Sequence, residues 1–174
     1  MELLRKIFGK KTIENNEKAK TETVDKTATV TSPKLFLEDL NEKEKEFIKN
    51  GIELAKVLLE ELELTNEVHP FSPEIIDTVI GYWFEDGFQE YIGVNLNNYS
   101  VAFASAWGQF LVDTLGMEWR VITDNSYTEV GVYHKNHEVV IFPFAVLLKK
   151  LNSKSASKAI SIMSDFAQKA INLK

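Results

Sequence analysis

The chain carries three histidines, His69, His134 and His137, and no cysteine. His134 and His137 flank Lys135-Asn136. If those residues form a two-residue hairpin loop, the histidines face each other across the strands with Cβ atoms about 5 Å apart. Two imidazoles at that spacing can share a metal ion. Zinc needs a third or fourth ligand, and strand alternation sends Glu138 to the opposite face. A metal-dependent hydrolase would therefore combine His134 and His137 with a carboxylate brought in by the fold. The competing reading is a polar cross-strand pair at an exposed hairpin end.

A second group is acidic. Glu85, Asp86 and Glu90 lie among Trp83, Phe84, Phe88 and Tyr91. Carboxylates beside aromatic rings suit a cationic partner or a sugar, and paired carboxylates do acid–base work when one has a raised pKa. The plainer reading is a helix end with its aromatics packed inward and its acids outward. Asp124 to Glu129 lacks the glycine and closing glutamate of a calcium loop and reads as a turn. Gly9-Lys10-Lys11-Thr12 lacks the earlier glycine and direct Gly-Lys-Ser/Thr succession of a phosphate loop. No Gly-x-Ser-x-Gly elbow is present, and no catalytic triad is evident. No residue pattern calls for a cofactor.

These groups need elements to hold them. The 174 residues are 44% hydrophobic and 26% charged, enough for one core without metal or disulfide. Net charge is −6, but residues 1–33 hold seven Lys/Arg and five Asp/Glu, leaving −8 on the rest. An acidic domain repels phosphate backbones, which disfavours nucleic acid as a partner. Residues 1–11 place Leu3, Leu4, Ile7 and Phe8 on one helical face beside basic residues. That pattern fits a protein partner or weak contact with an anionic membrane surface. Residues 12–33 have few large apolar side chains and predict a disordered linker, so residues 34–174 are expected to form the domain. No apolar run approaches the roughly 20 residues of a spanning helix. With no secretory pattern at Met1–Lys11, the expectation is a cytoplasmic protein, held weakly at the inner membrane surface if the arm docks there.

The periodicity predicts an α+β domain: three N-terminal helices, a three-stranded antiparallel β-meander and two C-terminal helices. Asn41 and Glu44 form a capping box ahead of a helix to about Leu64. Ser72-Pro73-Glu74 starts a second, which Asp86-Gly87 ends. Phe88 to Asn98 reads as a connection. A third helix from about Tyr99 to Leu115, capped by Gly116, carries Ala102, Ala104, Ser105, Ala106 and Gly108, which permit close approach by a neighbour. Strands are expected over 118–123, 128–134 and 137–142. Pro143 starts a short helix to Leu151, and Ser153 or Ser155 caps a last helix with Ile160, Met163, Phe166, Ala167 and Ala170 inward.

Within this framework, Ala104, Gly108, Gly116, Trp119, Gly131, Phe142-Pro143 and Lys149 stand in an order and spacing that resembles a family of uncharacterised bacterial domains. The resemblance covers Ala102 to Lys150. It implies a fold and no catalytic residue. Members encoded near secretion or toxin systems would suit a binding role. The expectation is thus a non-enzymatic binding or adaptor protein, or an immunity-type accessory protein acting through its acidic surface. The alternative is the metal-dependent hydrolase built on His134 and His137.

Overall fold

The computed structural model describes residues 35–64, 69–124, 127–153 and 158–173. Among them the order is β1 (Phe36–Glu38), α1 (Glu42–Glu61), α2 (Pro73–Tyr82), α3 (Phe88–Ile92), α4 (Leu96–Leu115), β2 (Glu118–Thr123), β3 (Thr128–His134), β4 (Val139–Ile141), α5 (Pro143–Ser153) and α6 (Ala159–Asn172). The class is α+β, as the periodicity predicts. Residues 1–33, with Leu3, Leu4, Ile7 and Phe8, lie outside the described residues.

Helix α4 is the axis of the domain. The Asn95 side chain caps it by accepting the Asn98 N–H at 2.9 Å, and Gly116 ends it at φ 65°. Tyr99, Phe103, Trp107 and Leu111 repeat every four residues and are wholly buried. Full burial of an apolar side chain of this size contributes roughly 1.5–3 kcal/mol. The two long polar aromatics also tie α4 to other helices. Tyr99 Oη donates to the Val79 carbonyl of α2 at 2.7 Å. Trp107 Nε1 donates to Ser164 Oγ of α6 at 2.9 Å, and that hydroxyl passes a hydrogen bond to the Ile160 carbonyl.

The small residues of α4 do what their size predicts. Helix α1 crosses at Gly51, where a Cβ would run into Ser105 of α4. At Gly108 a Cβ would overlap the six-membered ring of Trp119 on β2. The capping box of α1 forms as expected: Asn41 Oδ1 accepts the Lys43 and Glu44 N–H groups, and Glu44 Oε2 accepts the Asn41 N–H at 2.8 Å.

The sheet is antiparallel in the order β1-β2-β3-β4. Trp119 faces Val132, Val121 faces Val130, and Val132 faces Ile141, so one face of the sheet packs on the helical core. On the other face Ile122 and Phe142 close over Gly131, where a Cβ would meet the Ile141 carbonyl oxygen at 2.8 Å.

Several sequence expectations give way. The sheet has four strands. β1 was hidden because it is three residues long and exposed throughout, so it carries no alternation. Four helices precede the meander, because Phe88–Ile92 forms a short helix between two left-handed glycines, Gly87 and Gly93. Helix α2 stops at Tyr82, ahead of Asp86-Gly87. β4 begins at Val139 and not at His137, since Glu138 adopts φ 51° and ends a four-residue loop. His134 pairs with Val139, not with His137. Helix α6 is not capped by Ser153, which closes α5 by donating to the Lys150 carbonyl; Ser155 lies outside the described residues. Asp77 of α2 caps α6 instead, accepting the Ile160 N–H at 3.1 Å, the Ser161 N–H at 2.9 Å and the Ser161 hydroxyl at 2.6 Å. Phe166 and Ala170 are exposed, while Ile160, Ser164 and Ala167 make the inward face of α6.

Candidate functional site

The turn between α2 and α3 builds a concavity of about 370 Å³ lined by Trp83, Phe84, Glu85, Asp86, Gly87, Gln89 and Glu90. Its shape follows from local chemistry. Two hydrogen bonds of tight-turn spacing, Phe84 N–H to the Gly81 carbonyl and Glu85 N–H to the Tyr82 carbonyl, end α2. Gly87 at φ 78° then reverses the chain into α3, a conformation that favours glycine. Trp83 turns inward and stacks on Tyr99 at 4.7 Å between ring centroids. Phe88 meets Tyr82 at 5.9 Å and Tyr99 at 6.0 Å. Gln89 Nε2 donates to the Trp83 carbonyl at 3.3 Å and holds the two sides of the turn together.

With the aromatics anchored, Glu85, Asp86 and Glu90 are left exposed around the hollow, and no lysine or arginine lines it. The structure thus places the three acids together, with Trp83 and Phe88 inward and Phe84 half-buried. Tyr91 stands beside them, exposed, with its hydroxyl on Glu61 Oε1 at 3.2 Å, which raises the phenol pKa. A hollow with carboxylates and aromatic residues in its lining can receive an ammonium or guanidinium group.

A second concavity of about 450 Å³ is lined by Tyr127, Thr128, Glu129, Ala145, Leu148, Lys149 and Asn152. Glu129 lies where β3 meets the first turn of α5. Burial raises its carboxyl pKa, and the Ala145 N–H at the start of α5 partly offsets this. Its Oε1 is shielded from solvent without a hydrogen-bond partner. The sequence offered no signal for it, since Glu129 sits at an ordinary strand position and α5 is a separate element. The turn before it behaves as expected: Asp124 Oδ1 accepts the Tyr127 N–H at 2.9 Å.

The histidine pair is close, though not by the expected route. The rings of His134 and His137 are 4.8 Å apart because the loop folds back, with the His137 N–H on the His134 carbonyl at 3.3 Å. His134 Nδ1 is buried without a hydrogen-bond partner. Among the described residues, no group of three His, Asp or Glu side chains is placed to share a metal. The third histidine does what the sequence did not suggest. His69 Nδ1 accepts the Phe71 N–H at 3.3 Å, its ring stands edge-on to Phe110 at 4.9 Å, and Nε2 lies 3.7 Å from Asp113 Oδ2. Gln109 Nε2 steadies that carboxylate at 2.8 Å. The His69 ring thus sits where the segment before α2 meets α4.

No helix among the described residues is long and apolar enough to cross a membrane. No curated protein and no solved structure matches the chain. Residues 89–160, from α3 through α4, the meander and α5 to the first turn of α6, match the family model described as "Domain of unknown function (DUF3806)".

Proposed function

We propose that this protein is a binding module that takes a lysine or arginine side chain of a protein partner into the concavity at Glu85, Asp86 and Glu90. The observation that carries the reading is the hollow itself: three exposed carboxylates in a lining that also holds Trp83 and Phe84 and has no basic residue. The −8 balance of residues 34–174 extends the same field and would speed the approach of a basic partner. This suits an adaptor or an immunity-type accessory protein that covers a basic surface. The setting we infer is cytoplasmic, with Leu3, Leu4, Ile7 and Phe8 supplying a second, weaker contact to a partner or to the inner membrane surface.

The test uses a fluorescent peptide of alternating arginine and glycine, with citrulline replacing arginine in the control. The arginine peptide is expected to shift backbone amide resonances within residues 83–91, and added salt to weaken it. Exposed ion pairs contribute about 0.2–1 kcal/mol each. The triple variant Glu85→Gln, Asp86→Asn, Glu90→Gln is therefore expected to bind about tenfold more weakly, or less tightly still, with an unchanged melting curve. Equal binding by the triple variant, or shifts spread evenly over all acidic surfaces, would refute the reading.

A further inference from the structure

Helix α6 is apolar on two opposite faces. Ile160, Ala167 and the hydrogen-bonded Ser164 are buried, with Met163 and Ile171 packed beside them. At 3.6 residues per turn, Ile162, Phe166, Lys169 and Leu173 fall within about 60° of one another on the far side. The three apolar members of that strip are exposed by 52%, 67% and 76%. An amphipathic helix needs only one apolar stripe, and the inward one already meets that need. A phenylalanine two-thirds exposed between an isoleucine and a leucine marks a surface that no described residue covers.

The charges on the strip say what the cover is. Between Ile162 and Leu173 it carries one acid, Asp165, and one base, Lys169, with Ala167 midway between them, and Lys158 stands at the helix cap one turn before Ile162. A strongly basic or strongly acidic partner gains nothing from that pair. A second copy of the same helix, running antiparallel about a two-fold axis level with Ala167, matches it twice. Asp165 then faces Lys169 of the copy, Lys169 faces Asp165 of the copy, Ile162 lies against Leu173 of the copy, and the two Phe166 rings meet at the centre.

We propose that this face of α6 is an isologous interface between two copies of the chain. Self-complementary contacts of this kind are what a two-fold dimer requires. The strip is one 14-residue helix long, below the area of a standard interface, so the dimer is weak and concentration-dependent.

Sedimentation velocity of the full chain is expected to pass from monomer to dimer between about 10 µM and 1 mM, as suits an interface below standard size. Phe166→Glu is expected to stay monomeric throughout with the same thermal melt, since the side chain is two-thirds exposed. Asp165→Lys and Lys169→Asp should each weaken self-association about tenfold, because each sets like charges opposite one another twice. An equimolar mixture of these two variants should recover the wild-type association, since the antiparallel pairing then sets opposite charges together twice. A wild type monomeric at 1 mM overturns the proposal, as does a mixture that fails to recover. Binding of the monomer to phosphatidylglycerol vesicles that Phe166→Glu abolishes would assign the face to lipid instead.

Discussion

Glu129 has a geometry that makes a pH-dependent demand on the fold. Burial raises its pKa, so the folded chain holds that proton to higher pH than the unfolded chain does. Stability then falls as pH rises from the ordinary carboxylate range through the folded-state value, and is flat above it. Glu129→Gln keeps the shape and removes the charge. Its melting temperature is expected to equal that of wild type at pH 4 and to exceed it at pH 8, read from thermal melts across that interval. A gain that is the same at both ends would contradict the assignment. None of this is legible from a glutamate in a strand, because the burial comes from α5. The histidines divide the same way. The spacing of His134 and His137 foretold their closeness, but the register did not follow, because Glu138 takes a left-handed conformation and lengthens the loop. His69 and Asp113 lie far apart in the chain, and only the packing of the segment before α2 on α4 brings them within 3.7 Å.

At the scale of elements, signals that act within a few residues are readable and signals that act across the domain are not. The capping box at Asn41 and Glu44, the proline at the head of α2 and the glycine after α4 all rest on neighbours within one turn. The cap of α6 does not: Asp77 reaches it from α2. Loss of a helix cap typically costs about 1–2 kcal/mol. Asp77→Ala is therefore expected to lower the melting temperature by roughly 2–8 °C, and to speed amide exchange at Ile160 and Ser161 above that of other helices. An unchanged melt with unchanged exchange would remove Asp77 from this role. The outward turn of Phe166 belongs here too. Periodicity alone places Phe166 near Met163, at the edge of the inward stripe, and which edge is covered depends on where α2, α4 and β4 stand.

For the whole molecule, the match over residues 89–160 takes in α4, the meander and α5, which form the heart of the core. The acidic concavity lies mostly ahead of that segment, with only Gln89 and Glu90 inside it. The proposed binding site is thus hung on the matched segment by Trp83 and Phe88 packing against Tyr99. We expect the domain to stand without its N-terminal segment. Removal of residues 1–33 should leave a cooperative melt at a similar temperature by circular dichroism, whereas a broad, non-cooperative loss of signal would show that the segment contributes to the core.

By itself, the sequence determined the class of the fold, the central position of α4, the order of the meander and the grouping of Glu85, Asp86 and Glu90. Each of these depends on hydrophobic period, turn chemistry or adjacency, which act over a few residues. The tertiary structure alone decided that three acids surround a hollow, that Glu129 is shielded, that Asp77 caps α6 and that Phe166 faces out. Those features depend on which surfaces meet across the domain, and contact between elements far apart in the chain leaves no trace in local pattern.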